Sequence, residues 1–235
     1  MNIAQLDNNT HRGLRIITTR GAAWGDDQMS SPVYLSEFRH AQAYYPIVLQ
    51  QSDAAGNLQP VALMGLRNGE NLFLDARGWD AHYIPLMIER GPFMIGRNGE
   101  ELMVHLDMDS PRIGHGEGVP VFQPHGMPTE YLDRINSVLL TLHNGVEAMP
   151  AFIAALKRHD LVESFVMDVD AADGSTNRLA CFSTIAEERL AALDAAALAE
   201  LHAAGHLSAI YMMVASLAHL RDLVERYNRR LPRAA

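Results

Sequence analysis

Residues Tyr44 to Phe93 read YYPIVLQQSDAAGNLQPVALMGLRNGENLFLDARGWDAHYIPLMIERGPF. Pro46 ends any helix before it, because the proline ring pushes the preceding residue out of the helical region. Ser36 to Tyr45 is therefore read as a short helix and Ile47 to Leu49 as a strand. Val61 to Leu66 and Leu72 to Asp75 follow as strands, separated by the polar turn DAAGN and by Arg67 to Asn71, where Gly69 supplies the turn. Trp79 to Arg90 is expected to be helical, with Tyr83, Leu86 and Met87 on its apolar face.

Outward from that stretch the same alternation continues. Phe93 to Gly96 and Glu101 to Asp107 form a hairpin, because RNGE at Arg97 to Glu100 holds the Asn-Gly pair that tight turns favour. Asp109 to Pro128 carries four glycines and four prolines, an irregular run whose length is often functional. After Pro128 the period becomes helical. Thr129 is an N-cap, and Tyr131, Ile135, Val138, Leu142, Val146, Met149, Ile153 and Leu156 recur every three or four residues on one face. Pro150 inside that pattern predicts a kink or break. Val162 to Val169 and Arg178 to Thr184 read as a second hairpin joined by the turn Ala172 to Asn177. Glu187 to Leu193, Asp194 to Ala204 and Leu207 to Arg230 close the chain as Ala- and Leu-rich helices. Strands followed by helices, without strict alternation, predict an α+β fold: antiparallel hairpins in the first half and one later hairpin, packed against long C-terminal helices. The expected organisation is an N-terminal arm over 1–32 and one domain over 33–235, strand-rich to 127 and helix-rich from 128.

The 235 residues are enough for a buried core, and 48% hydrophobic with 20% charged residues is an ordinary globular composition. A formal charge of −9 disfavours nucleic acid, which draws on clustered Lys and Arg. The nearest basic cluster, Arg226, Arg229, Arg230 and Arg233, reads as a solvated helix end. One cysteine, Cys181, excludes an internal disulfide, and its apolar neighbours predict a buried small hydrophobe. MNIAQLDNNTHRG has no apolar run of a secretory signal. Leu201 to Leu220 carries no Asp, Glu, Lys or Arg, but its His, Ser and Gly residues argue against a membrane span. The sequence thus predicts a cytoplasmic protein, surface-associated if exported by a route without a signal peptide.

The order YPI at Tyr45, PVALMGL at Pro60, GENLFLD at Gly69, the lone Trp79 of that stretch, YIP at Tyr83 and GPF at Gly91 resembles the SapC family of bacterial proteins, named for a surface-layer association. The resemblance continues through VFxxxGxPTEYL from Val121 to Leu132 and LAELHAAGHLSAIYMMVASLAHLRDL near the C-terminus, covering roughly 33 to 230. Met213 stands where many relatives would carry a histidine. The resemblance implies a non-enzymatic binding or interaction protein of the bacterial surface layer or envelope, with no cofactor.

Candidate chemistry is sparse. Asn68, Glu70 and Asn71 of the signature turn, with Asp75, Trp79, Asp80 and Tyr83, could form a recognition surface, since an aromatic face beside carboxylates suits a sugar or peptide. The alternative is a metal-dependent, oxygenase-like accessory enzyme. His105 and Asp107 are spaced H-x-D on a strand and point to one face, with His115, His125 or a residue of the C-terminal helices as a third donor. Gly114, Gly116 and Gly118 lack the Lys-Ser/Thr partner of a phosphate loop. In the last helix Ile210, Val214, Leu217 and Val224 make one apolar stripe, with Met212 and Leu223 on a second side. That arrangement predicts a protein partner or self-association as a homodimer.

Overall fold

The computed structural model describes residues 2–99, 101–114, 116–170 and 176–231. The chain enters through β1 (Ile3–Gln5), β2 (Arg15–Ile16), a single 3-10 turn at Ala22–Trp24 and β3 (Ser30–Pro32). Next come α1 (Phe38–Ala41), β4 (Ile47–Gln51), β5 (Leu58–Leu63), the small hairpin β6 (Leu74–Asp75) and β7 (Gly78–Trp79), and α2 (Leu86–Glu89). The hairpin β8 (Phe93–Asn98) and β9 (Glu101–Asp107) precedes β10 (Ile113–Gly114), β11 (Val119–Pro120) and the long α3 (Glu130–Arg158). A second hairpin, β12 (Val162–Asp170) and β13 (Thr176–Ile185), leads to α4 (Glu187–Ala191), α5 (Ala195–Ala203), α6 (His206–Ser216) and α7 (His219–Arg230).

The fold is α+β, and among the described residues every strand pairing is antiparallel. The main sheet runs β12-β13-β4-β5-β3, with Val48 opposite Val61 and Ser183 opposite Leu49. Its centre is covered on both faces, so Ile47, Val48 and Leu49 are all buried and β4 reads as a continuous apolar run. A second sheet, β1-β9-β8, and a third, β10-β2-β11, use strands from the expected N-terminal arm.

The described residues form two apolar cores, and α3 joins them. Val138, Leu142, Met149, Phe152 and Leu156 enter the large core against the main sheet, whereas Leu132, Ile135 and Leu139 enter a small one with Ile16, Phe93, Leu106 and Val121. Thr129 caps the helix, its side chain accepting from the Leu132 N–H, and Lys157 and Arg158 stand in its last turn. Gly145 is set by packing, because a Cβ there would lie 2.7 Å from the Tyr34 ring.

Several expectations are corrected. Of the kink or break expected at Pro150, the break does not occur, since one helix runs through it. That proline is exposed and so is Val146, so water can take the carbonyl that the missing N–H leaves open. Trp79 to Arg90 is helical only at Leu86–Glu89, because Trp79 pairs with Leu74 and Pro85 bars the helical region to the residue before it. The 109–128 run holds β10 and β11, which sandwich β2. Cys181 is exposed with φ 68, at a bulge where two residues of β13 oppose Val166 of β12. The last helix is two, divided at Leu217–Ala218, with Ile210, Met213, Ser216, Leu223 and Tyr227 buried and Met212, Val214, Leu217 and Val224 half-buried. Nor is the basic end simply solvated. Arg226 stacks on Phe73 at 4.3 Å and pairs with Asp80, and Arg230 donates to the Asn71 and Leu74 carbonyls. His115, Arg233 and most of the turn from Ala172 to Asn177 lie outside the described residues. By length and apolar composition α3 and the stretch His206–Arg230 could cross a membrane, but both lay a face on protein core here.

Candidate anion-binding cavity

Between β2, α2, β11 and the first turns of α3 lies a cavity of about 430 Å3. Its apolar walls are Ile16, Ile17, Ile84 and Val119, and its polar groups are Thr18, Arg20, Arg112, Arg134, Glu89 and Tyr131. Arg112 and Asp26 form a buried ion pair, Nη2 to Oδ1 at 2.6 Å, with exposures of only 5% and 2%. Desolvating such a pair is costly unless further hydrogen bonds complete it. Arg112 Nη1 donates to the carbonyls of Ile17 and Thr19 at 2.9 and 3.1 Å, and the Gly21 N–H donates to Asp26 Oδ2 at 2.9 Å.

Arg20 extends the network. It approaches Asp26 at 3.5 Å and donates to the Ile88 carbonyl at 3.2 Å and to Glu89 Oε2 at 2.9 Å. The other oxygen of Glu89 takes Arg134 Nη2 at 2.7 Å, at the open side of the cavity, where the Arg134 side chain is largely exposed. Three guanidinium groups thus face two carboxylates, leaving one positive charge over in a chain whose formal charge is −9. Burial pushes the Tyr131 hydroxyl up to about 12; Glu89 adds to the rise and the three arginines oppose it. Tyr131 therefore stays a protonated donor among these charges.

The signature stretch builds the frame of this cavity. Asn71 is buried; its Nδ2 donates to the Asp26 carbonyl at 2.8 Å and its Oδ1 accepts from the Phe73 N–H at 2.9 Å. Glu70 accepts from the Leu66 N–H at 3.0 Å across the turn made at Gly69. A second network fixes the start of α2, which carries Glu89. Glu37 Oε1 accepts from the Tyr83 hydroxyl and the Leu86 N–H, both at 2.8 Å, and Oε2 accepts from the Tyr34 N–H at 3.0 Å. Burial raises the Glu37 carboxyl above its ordinary range, and these three donors partly oppose that. Trp79 Nε1 donates to the Tyr45 hydroxyl at 2.8 Å, and Tyr45 donates in turn to the Tyr83 carbonyl. The Tyr83 ring stacks on His40 at 5.5 Å.

The seven residues expected to form a recognition surface are therefore divided. Asn68, Asp75 and Asp80 are exposed, with Asp75 paired to Arg77 and Asp80 to Arg226. Glu70, Trp79 and Tyr83 are half-buried and, like Asn71, hydrogen-bonded inside the protein. His105 and Asp107 share β9. The His105 ring covers Gly96, where a Cβ would come within 2.5 Å of it, and Asp107 accepts from the Asp109 N–H at 3.1 Å. Among the described residues no three His, Cys, Asp or Glu side chains gather as a metal site.

A protein-family model described as SapC matches residues 6–223. The chain belongs to the SapC family. The match takes in Arg20, Asp26, Glu89, Arg112, Tyr131 and Arg134, and so the whole cavity of this SapC family member. No curated protein matches the sequence, and neither does any solved structure. Sequence reasoning missed the cavity because its arginines stand far apart in the chain. The one signal pointing to it was the 109–128 run, which contributes Arg112 and Val119. Gly118 in that run is demanded by β11 lying against β2, since a Cβ there would come within 2.5 Å of the Ile16 carbonyl oxygen.

Proposed function

We propose that this SapC family protein is a non-catalytic binding protein of the bacterial surface layer or envelope, and that it takes a small anionic ligand in the arginine cavity. The observation that carries this reading is the chemistry of the cavity lining: Arg20, Arg112 and Arg134 around a recess with apolar walls. Guanidinium groups present fixed, forked donors to carboxylate or phosphate and do not exchange protons at neutral pH, so they suit recognition better than acid–base catalysis. A Tyr131 hydroxyl held up to about 12 serves the same end, as a donor and not a base.

Calorimetric titration of the protein with benzoate, sulfate and inorganic phosphate at low salt tests the binding role. Saturable binding of at least one anion, weakened in Arg134→Gln, is expected; no heat with any of them contradicts it. Fractionation of the producing bacterium tests the location: recovery in the envelope fraction is expected, and recovery only from the cytosol contradicts it.

The same reading includes self-association through the last two helices. Tyr211 is exposed on α6, and Met212 beside it, although packed against the core, keeps part of its side chain at the surface, so both can touch a second copy. Met212→Glu is expected to lower the mass seen by light scattering. A wild type that is monomeric at high concentration would remove this part of the reading.

A further inference from the structure

Resting on the anion-binding reading above, we propose that the ligand is a small monocarboxylate with an apolar body, and that Glu89 is an internal competitor that holds Arg134 until this ligand displaces it. The first argument is charge. After Asp26 and Glu89 are counted against Arg20, Arg112 and Arg134, one positive charge remains. A carboxylate matches it. A phosphate dianion would leave a negative charge over in a recess that already holds the Glu89 carboxylate, with Asp26 buried behind it, and like charges in a partly desolvated site repel strongly.

The second argument is geometry. Glu89 places one carboxylate oxygen 2.9 Å from Arg20 and the other 2.7 Å from Arg134, so the two guanidinium groups already stand apart by the span of a carboxylate. Arg20 is mostly buried and held on three sides by Asp26, the Ile88 carbonyl and Glu89, whereas Arg134 is largely exposed with Glu89 as its ion-pair partner. Only the Arg134 end of this pair is open to water, and solvent around that guanidinium weakens its hold on the mostly buried Glu89. Arg134 can therefore exchange Glu89 for an incoming carboxylate while Arg20 keeps its oxygen. Arg112, which also lines the cavity, uses three of the five N–H groups that a guanidinium carries in bonds to Ile17, Thr19 and Asp26, so two remain.

The third argument is the wall. Ile16, Ile17, Ile84 and Val119 give the ligand body an apolar surface, and about 430 Å3 lies within the range of small-molecule sites, roughly 300–1,000 Å3. Inorganic phosphate or sulfate would leave that surface unused. A compact aryl or acyl carboxylate uses both parts of the cavity.

The test is calorimetric titration of the full chain at pH 8 and low ionic strength with benzoate, phenyl phosphate and inorganic phosphate, which separate body from headgroup. Benzoate is expected to bind at least about tenfold more tightly than phenyl phosphate, and inorganic phosphate more weakly than either. Glu89→Gln is expected to tighten benzoate by about threefold or more, because the carboxylate that competes for Arg134 is gone. Arg134→Gln, on an exposed side chain whose change leaves the fold intact, is expected to weaken benzoate by about tenfold. Tighter phenyl phosphate than benzoate would overturn the carboxylate assignment while leaving anion binding in place. Weaker benzoate binding in a folded Glu89→Gln protein would overturn the competitor role. No binding of any of the three probes would remove the anion-binding reading itself, and this inference with it.

Discussion

The protein holds two buried polar networks that look alike in composition and differ in what they leave open. One is Glu37 with Tyr83, Tyr45 and Trp79, where every hydrogen bond named runs from one part of the chain to another and both Glu37 oxygens are filled from within. The other is Asp26 and Glu89 with Arg20, Arg112 and Arg134, which borders a cavity and keeps a positive charge in excess. A closed network ties segments together. An open one with unequal charge does the same and also presents donors to something outside the chain. The contrast separates Asn71, Trp79 and Tyr83 of the signature stretch, which bond within the protein, from arginines with no local pattern that line the recess.

Breaking the buried ion pair should give the largest loss of stability. Asp26→Ala strands Arg112 without its carboxylate and removes the acceptor of the Gly21 N–H, so a cost of about 3–5 kcal/mol is expected from urea unfolding. A loss under about 1 kcal/mol would mean that water already reaches Arg112. Next comes the closed network. Tyr45→Phe leaves the Trp79 indole N–H and the Tyr83 carbonyl without their partner, at a cost of about 1–3 kcal/mol in the same experiment. No change would show that neither group is truly dry.

Acidity separates the networks further. Burial lifts the Glu37 carboxyl above its ordinary value of 4.5. A carboxyl raised in the folded state favours folding while protonated, below that ordinary value, and this contribution is lost as pH climbs through the folded-state value. Glu37→Gln cannot titrate. The stability of the wild type relative to this variant should therefore fall as pH rises from 4.5 towards neutrality. A constant difference over that window would place Glu37 in contact with solvent. The smallest effect on stability belongs to the open network's outer member: Arg134→Gln should cost only about 0–1 kcal/mol, because the Arg134 side chain is largely exposed and Glu89 keeps its bond to Arg20. A larger loss would make Arg134 framework and blur the contrast.

How far the sequence carries depends on whether a feature is local. The Asn98-Gly99 turn, the Thr129 cap and the apolar period after it each concern neighbours along the chain, and the hairpin β8–β9 and α3 follow from them. The α+β class was legible for the same reason, whereas the short strands β1, β2, β3, β7, β10 and β11, which form only by pairing with distant segments or in a two-residue hairpin, were not. Continuity through Pro150 was not, because it depends on solvent reaching one face of a helix whose other face spans two cores. Trp79 to Pro85 escaped because Tyr45 and Glu37, distant in sequence, hold it in irregular form. The cavity was the least legible part. Arg20, Arg112 and Arg134 each sit among unremarkable neighbours, and only the packing of β2, α2 and α3 makes them one site.

The most direct measurement is an anomalous diffraction experiment on a crystal grown at low salt and soaked in bromide. The strongest bromide peak is expected inside the cavity, within hydrogen-bonding distance of Arg112 or Arg134, and lost in crystals of Arg134→Gln. Bromide confined to other surfaces, with water alone beside Arg20, Arg112 and Arg134, would contradict the claim that this recess is built to take an anion.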